Sequence, residues 1–204
     1  MKKHLLEFFG FKDIIVLMIS LVFATAMAVA YAKDGKTLIF WLFGVALFLI
    51  NEYLTHRFIF HMKPPKHPFF LRLLKRLHYD HHVDPDDLKL LFLPIWYSLP
   101  QMIMISAIVF FVFGDLSFAF AMYAGLSSGL LYYEWTHFVA HRPIKPITRW
   151  GKWMKKVHIW HHFKNEGYWF GVSNPSMDYL MGTFKDEKEV PRSENARNLL
   201  KNME

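Results

Sequence analysis

Four long apolar stretches constrain the fold of this sequence more than any other feature. They cover residues 14–32, 37–60, 90–113 and 117–138. A helix that crosses the hydrocarbon core of a bilayer needs about 20 predominantly apolar residues, and each stretch is close to that length. Apolar residues make up 53% of the chain and aromatic residues 18%, which is high for a water-soluble domain. We therefore predict an all-α integral membrane protein with four transmembrane helices.

The basic residues are distributed asymmetrically about these stretches. The net charge is +7, yet only Lys33 and Lys36 lie between the first two stretches, and no Lys or Arg lies between the last two. Because basic loops stay on the cytoplasmic side, we expect the N-terminus, residues 57–89 and the residues after His141 to face the cytoplasm and anionic lipid. We expect a multi-pass protein of the bacterial inner membrane rather than of the endoplasmic reticulum. Nucleic acid is not the expected partner of this charge.

Two polar segments are predicted to form a cytoplasmic cap of short helices. The first, residues 62–89, opens with Pro64 and Pro65, which prevent the preceding helix from continuing. This segment and the second, residues 142–185, place apolar residues at helical spacing opposite basic ones, as in helices that lie in the membrane interface. Residues 186–204 are predicted to be a polar tail that ends in a short helix or frays, within a single membrane domain of residues 1–204.

Histidine is concentrated in two blocks that repeat one another. His4 and His67, the two of twelve that lie outside the blocks, are expected to be ordinary polar residues. The first block is His56, His61, His78, His81 and His82, and the second is His137, His141, His158, His161 and His162. Four of the five positions correspond at an offset of 80, and each block ends in the spacing HxxHH. This register indicates one shared site.

The spacing within each block predicts how the imidazoles converge. On a helix, HxxHH places three side chains on one face within reach of a common centre, and the i, i+4 spacing of His137 and His141 has the same effect. His56 and His61 are five residues apart and diverge on a regular helix. We expect that helix to distort or end there, or the pair to serve different metals. Because two membrane spans separate the blocks, both blocks lie at the same membrane surface.

Ten clustered imidazoles predict a metal centre. Buried together without a metal, they would crowd groups that titrate near neutral pH, at a desolvation cost that coordination removes. Ten ligands are too many for one ion, so we expect two metals to share them. The chain has no cysteine, and imidazole ligands suit zinc, copper, iron or nickel. A redox metal at a membrane surface can activate dioxygen against a C–H bond, whereas zinc has no accessible redox chemistry.

Four histidine motifs, HRFIFH, HYDHH, HFVAH and HIWHH, occur in this order at residues 56–61, 78–82, 137–141 and 158–162. This order resembles the fatty acid hydroxylase and sterol desaturase superfamily of membrane di-iron enzymes. The likeness is closest to fatty acid 2-hydroxylases. Residues 52–65 resemble the opening motif of that family, and its closing motif resembles residues 170–173, 178–179 and 182–183. The resemblance covers residues 51–184, and a motif of several separated parts is highly specific.

The resemblance implies a lipid-oxidising enzyme. It implies that the histidines hold two iron ions, that O2 is the oxidant, and that one oxygen atom enters an acyl chain, at C2 in the 2-hydroxylases. Zinc is able to replace iron in purified protein. In that family electrons arrive from a cytochrome b5 that is often fused at the N-terminus. Because only about a dozen residues precede the first span, we expect a separate cytochrome b5, ferredoxin or similar reductase system.

Three acidic residues are expected to support the metal centre. Asp80, inside HYDHH, is a candidate to orient a ligand imidazole, although a solvated helix charge is the commoner role. Glu52 and Glu134 lie near the ends of predicted spans, where an ionisable group is a functional candidate. Each either supports the ligands and delivers protons or pairs structurally with Arg57 or Arg142.

The substrate is less constrained than the metal site. Tyr133 and Trp135 are candidates to line the acyl channel, although membrane-interface belts use the same residue types. A carotenoid or sterol hydroxylase, or a desaturase, would use the same metal site. A membrane metal-binding or transport protein without redox chemistry is the alternative from another class. It requires ionisable residues along a path through the spans, whereas these histidines gather at one surface.

Overall fold

The computed structural model describes residues 2–203, and this part of the chain is helical without any strand. The α-helices, labelled α1 to α10, cover Lys2–Phe9, Lys12–Tyr31, Lys36–Thr55, Pro68–Leu74, Asp80–Val83, Leu88–Leu91, Ile95–Phe113, Leu116–His141, Arg149–Phe163 and Ser176–Leu180. The π-helical segments His56–Phe60 and Lys75–Tyr79 follow α3 and α4 directly, and Glu187–Glu189 and Leu199–Met203 are 3-10 helices. The all-α prediction is confirmed.

Three helical segments are long and apolar enough to cross a membrane. They are Lys12–Tyr31, Lys36–Phe60 and Leu88–Phe113, which agree with the first three predicted spans. The fourth predicted span forms α8, which has 26 residues but is not among the candidate spans. This helix contains serine, glycine and tyrosine and is buried along most of its length. Three of the four predicted spans are therefore found among the candidates, and α8 as the fourth span stays a prediction.

The chain divides into two compact units. The first consists of Met1–Ile50 and Leu93–Glu134, and the second of Asn51–Phe92 and Trp135–Glu204. The second unit contains both segments that were predicted to form the cap, and all ten histidines of the two blocks belong to it. The metal site that the sequence predicts is therefore a feature of one unit.

Residues 186–203 also belong to the second unit, and they end in the short helix Leu199–Met203, one of the two predicted alternatives. Val190, Ala196 and Leu199 are buried, and the backbone N–H of Ser193 donates a hydrogen bond to the carbonyl of Lys164 at 2.7 Å. The segment is polar in composition, as predicted. Its few apolar residues do not recur at helical or strand spacing in the sequence, yet these three are buried in the structure.

Two glycines allow α3 and α8 to approach closely within the first unit. A Cβ atom added at Gly125 would lie 2.2 Å from the carbonyl oxygen of Trp41 and 2.9 Å from the Cα of Gly44. A Cβ added at Gly44 would lie 2.6 Å from the carbonyl oxygen of Met122. The two backbones are therefore in direct contact, as small residues permit between membrane helices.

The substitution Gly125→Ala is expected to force these helices apart and to lower the stability of the protein by about 1–3 kcal/mol, the usual cost of overpacking. The unfolding temperature in detergent measures the effect. Gly35→Ala is the matched control, because its added Cβ would meet no atom within 4 Å. Identical melting of the Gly125→Ala variant and the unmodified chain would contradict the close approach.

Candidate metal centre

The ten histidines of the two blocks converge in the second unit as two groups of five. Group A contains His56, His61, His78, His82 and His161, and group B contains His81, His137, His141, His158 and His162. Within each group, one nitrogen from every ring lies within 4.8 Å of the corresponding nitrogens of the others. All ten predicted ligands are thus brought together, in the two sets that a pair of metals requires.

The spacing of the ring nitrogens matches the spacing of ligands on a metal ion. The Nε2–Nε2 distances are 2.9 Å for His61–His78, 3.0 Å for His78–His82, 3.0 Å for His61–His161, 2.9 Å for His81–His137 and 2.9 Å for His141–His158. Imidazole nitrogens bind metals such as zinc at about 2.1 Å, so two nitrogens at right angles on one ion lie about 3.0 Å apart. The donor set therefore fits two metal ions.

Each HxxHH motif supplies both groups. His78 and His82 belong to group A and His81 to group B, whereas in the second motif the i, i+4 pair belongs to group B and His161 to group A. The prediction that all three side chains share one centre is wrong. Residues i+3 and i+4 point about 100° apart around the helix axis, so neighbouring histidines diverge toward different centres. Each motif therefore spans both groups.

The pair His56 and His61 converges because the helix changes its pitch. The backbone N–H of His61 donates to the carbonyl of His56 at 3.1 Å, the i to i+5 bond of a π-helix, and the two Nε2 atoms lie 3.3 Å apart. The expected distortion is confirmed, and both residues belong to group A rather than to different groups. Such π-helical turns are rare and often occur at functional sites.

Three rings of group A are oriented by backbone carbonyls. Nδ1 of His56 bonds to the carbonyl of Phe170 at 2.5 Å, Nδ1 of His82 to that of Ala196 at 2.7 Å, and Nδ1 of His161 to that of Tyr168 at 2.7 Å. Because a carbonyl only accepts, Nδ1 carries the proton and Nε2 is left with its lone pair toward the group. This tautomer is the one that binds a metal through Nε2.

Burial keeps these imidazoles neutral. Apart from His61, each of the ten has at most 8% of its surface exposed. Desolvation lowers the pKa of His82 to about 3. It also lowers the pKa of the other cluster histidines that lie outside Lys36–Phe60 and α8, with added repulsion from neighbouring imidazoles. These are His61, His78, His81, His158, His161 and His162. Neutral imidazole is the form that metal binding requires.

His162 gives the clearest sign that a ligand belongs here. Its exposure is 0%, and neither ring nitrogen has a hydrogen-bond partner among residues 2–203. Nδ1 of His81 and Nδ1 of His158 are also buried without a partner in this part of the chain. A buried polar atom that is left unsatisfied is costly and rare in native proteins. A metal ion at group B would satisfy one nitrogen of His162. It would bind His81 and His158 through Nε2, the atoms that face His137 and His141, so their Nδ1 atoms do not bear on the metal.

Glu52 anchors the segment that orients His56. One carboxylate oxygen accepts hydrogen bonds from the backbone N–H groups of Val172 and Ser173 at 2.7 and 2.8 Å, and the other accepts from the Ser173 hydroxyl. Arg57, a suggested partner of Glu52, donates instead to the hydroxyl of Tyr53 at 2.8 Å. Glu52 therefore holds the backbone next to Phe170, whose carbonyl orients the ligand His56.

Asp178 holds the other side of the same segment. Its buried carboxylate accepts from the N–H groups of Phe170 and Gly171 at 2.8 and 2.7 Å and from the Thr183 hydroxyl at 2.7 Å. Burial raises the pKa of Asp178, while these hydrogen bonds oppose the rise. Sequence reasoning placed Asp178 in the closing motif but gave it no role. Its only signal was an isolated acidic residue beside small and apolar ones.

The other two acidic candidates lie against different partners. The carboxylate of Asp80 is 3.7 Å from Nζ of Lys75, and both side chains are well exposed. This is the solvated helix charge rather than a contact with an imidazole. Glu134, in the first unit, accepts a hydrogen bond from the backbone N–H of Leu93 at 3.0 Å, just before α7 begins.

The two aromatic substrate candidates each contact another aromatic ring, and their part in an acyl channel stays a prediction. The Tyr133 ring lies 6.2 Å from the Phe48 ring in the first unit. The Trp135 ring lies 6.1 Å from the Phe138 ring in the second. His67 accepts a hydrogen bond from a backbone N–H at the start of α4, and His4 contacts Glu7, so neither of these histidines joins a group.

The substitution Glu52→Ala is expected to loosen the segment that holds the Phe170 carbonyl. It leaves two buried N–H groups without an acceptor, at a cost of about 1–3 kcal/mol each. The melting temperature and the metal content of the purified protein measure the effect. Glu52→Gln is the control, because its amide oxygen can still accept both backbone bonds. Equal losses in both variants would show that the charge of Glu52, rather than its hydrogen bonds, matters.

Comparisons with known proteins agree with this geometry. The family model for fatty acid hydroxylases matches residues 41–183. The fatty acid 2-hydroxylase of Rattus norvegicus is 33% identical over 157 residues, which are 73% of this chain and 40% of that protein. The fatty acid 2-hydroxylase of Homo sapiens is 33% identical over 178 residues, 81% of this chain and 44% of that protein. The chain therefore spans less than half the length of these relatives.

A further relative and a solved structure agree with these matches. The ceramide very long chain fatty acid hydroxylase of Saccharomyces cerevisiae is 32% identical over 167 residues, 78% of this chain and 41% of that protein. A solved structure described as full-length scs7p, with only the hydroxylase domain visible, superposes with a TM-score of 0.79 at 26% identity. It covers 89% of this chain and 68% of that one.

Proposed function

The chain belongs to the fatty acid hydroxylase family, and we propose that it is a membrane monooxygenase that hydroxylates a lipid acyl chain at a two-iron centre. The observation that carries the proposal is the pair of five-imidazole groups, whose nitrogens have the spacing of metal ligands. The family model covers the motifs that supply all ten of these histidines. Glu52 and Asp178, which hold the segment next to His56, lie within the same matched region.

Groups A and B would each hold one iron ion. When bound, iron supplies the redox chemistry that couples O2 to an unactivated C–H bond, which zinc does not. The protein holds the imidazoles neutral, presents Nε2 inward and excludes water, since nine of the ten rings are buried. Zinc bound to the same ligands would give a folded but inactive protein.

The proposed substrate is a fatty acid or a lipid-linked fatty acyl group, with C2 as the carbon that receives oxygen. The names of the rat and human relatives support C2, and the name of the yeast relative supports a ceramide-linked chain. The matched region is less than half of each relative. The substrate that we assign to this chain is therefore part of the proposal.

The proposed protein crosses the membrane four times, with α8 as the fourth span and the histidines at the cytoplasmic surface. Exposed Phe69, Phe70 and Trp150 accompany basic residues on α4 and α9, a combination suited to the membrane interface. Electrons would come from a cytoplasmic donor such as a cytochrome b5 or a ferredoxin system. The bacterial inner membrane stays a prediction from the sequence.

Lipid analysis in cells that express the chain with a reductase system tests the proposal. Under 18O2 we expect a 2-hydroxy acyl species that carries one labelled oxygen, and its loss in the His81→Ala variant. His67→Ala is the matched control, since His67 joins neither group. Unchanged lipids in cells that contain folded, iron-loaded protein would refute the hydroxylase proposal. Oxygen at another carbon would refute only the assignment to C2.

A further inference from the structure

We propose that residues 187–199 form a strap that completes the metal centre, with the backbone carbonyl of Ala196 as the positioning group for His82. This inference rests on the proposed function, because it assigns a part in holding the metal of group A. The strap lies beyond residue 183, where the match to the family model ends. It is also the segment to which the sequence pattern assigned no chemistry.

The contact between the strap and the centre is direct. The Ala196 carbonyl accepts from Nδ1 of His82 at 2.7 Å, and Nε2 of His82 lies 3.0 Å from Nε2 of His78. Ala196 has an exposure of 1%, so water does not substitute for the contact. The acceptors of His56 and His161 lie within the matched family region, whereas the acceptor of His82 comes from the strap alone.

Polar bonds fasten the strap to the end of α9, which carries the HIWHH motif. The Ser193 N–H donates to the Lys164 carbonyl at 2.7 Å, and the Asn165 side-chain amide donates to the Pro191 carbonyl at 3.0 Å. Nζ of Lys164 also forms an ion pair with Glu187 at 2.8 Å. The strap is therefore bonded to Lys164 and Asn165, which closely follow the ligand His162.

Apolar contacts hold the strap at both of its ends. Val190 belongs to a buried cluster with Val157 and Trp169. Leu199 is buried at the far end, and the Arg197 guanidinium lies 5.4 Å from the centre of the Phe163 ring. Burial at positions 190, 196 and 199 fixes the intervening backbone, and with it the direction of the Ala196 carbonyl.

The Ala196 carbonyl fixes which nitrogen of His82 carries the proton and how the ring is oriented. Without it, His82 can rotate or adopt the other tautomer, and its Nε2 is no longer committed to group A. Partners that orient a ligand from behind typically contribute about 10–100-fold to metal affinity. We therefore expect the strap to govern retention of one metal, the one at group A.

Ala196→Leu tests this, because the added bulk has no room at a buried alanine and displaces the carbonyl. Ala196→Gly keeps the carbonyl without adding bulk, and Glu194→Ala changes an exposed residue of the same strap. The full-length chain is loaded with iron in detergent and dialysed against a chelator, and the bound metal is counted. We expect about one metal per chain in Ala196→Leu and about two in the controls, with a loss of affinity of about 10–100-fold at one site only.

A double-mutant cycle separates positioning from general packing. In a His82→Ala background, Ala196→Leu should cause no further loss of metal, because the ligand through which the strap acts is gone. Equal losses in both backgrounds would overturn the inference, as would two tightly held metals in Ala196→Leu. If Ala196→Leu does not accumulate, Leu199→Ala loosens the strap without adding bulk and is judged by the same cycle.

Counting metals keeps this inference distinct from the enzymatic proposal. A chain that retains two metals but makes no hydroxylated lipid would refute the proposed function and leave the result on the strap intact. An unmodified chain that retains no metal at all under these conditions would overturn both.

Discussion

Replacing His162 with leucine is expected to abolish hydroxylated product and metal binding at group B while leaving the metal-free chain at least as stable as before. Both nitrogens of this fully buried ring lack a protein partner in the described chain, at a cost of about 1–3 kcal/mol for each unsatisfied atom. Leucine has a similar volume and no polar atom, so it removes that cost without opening a cavity. Loss of metal binding without loss of stability is the result expected when a residue serves binding rather than folding.

Three measurements check the prediction: iron per chain, labelled hydroxy lipid, and the melting temperature after chelation. His67→Leu makes the same chemical change at an exposed histidine and should alter none of them by more than the small contribution of a helix cap. A metal-free His162→Leu variant that melts well below the unmodified chain would mean that His162 serves the packing of the unit. Retention of two metals would remove it from the ligand set.

Much of this architecture was readable from the sequence because it rests on local rules. Apolar runs of membrane-spanning length gave three helices close to their predicted ends. The repeated histidine register indicated that the two blocks meet. The five-residue step from His56 to His61 conflicted with a regular helix, and the structure resolves that conflict with a π-helical turn. The spacing that did not fit a regular helix thus indicated where the helix is distorted at the metal site.

The division of the histidines between two groups was harder to predict. Facing one side of a helix is not the same as facing one point, and the 100° between consecutive side chains decides which centre each ring reaches. Spacing within one motif does not contain this information. It depends on where the other block lies, which tertiary structure fixes, so His81 and His161 each join ligands from the opposite block.

The supports behind the ligands were the least predictable part. Phe170 and Ala196 act through backbone carbonyls, which any residue possesses, so residue type carries no signal. Asp178 and Glu52 are acidic, but their role depends on the backbone N–H groups to which they bind. For Glu52 these groups lie more than a hundred positions away in the sequence. The strap has only scattered apolar residues, too few for periodicity to reveal that it packs.

Acidification is expected to unfold the metal-free second unit steeply, beginning near pH 6.5. The pKa of histidine in an unfolded chain is about 6.5. Burial lowers it in the folded protein, to about 3 for His82 and in the same direction for the six other cluster histidines outside Lys36–Phe60 and α8. The unfolded chain therefore binds more protons between these values. The contribution to stability is complete above pH 6.5 and is lost as the pH falls toward the folded pKa.

The slope of this loss tests whether the rings act together. Each such histidine contributes about 1.4 kcal/mol per pH unit, so seven give about 10 kcal/mol per unit, comparable to the whole stability of a typical domain. Urea unfolding of chelated protein from pH 7 to pH 5 measures the slope. The His162→Leu variant should lower it by about 1.4 kcal/mol per pH unit. A shallow slope in the unmodified chain would mean that the metal-free rings already bind protons or water.

Bound metal should shift the unfolding transition to lower pH, because protons must then displace the metal from the same nitrogens.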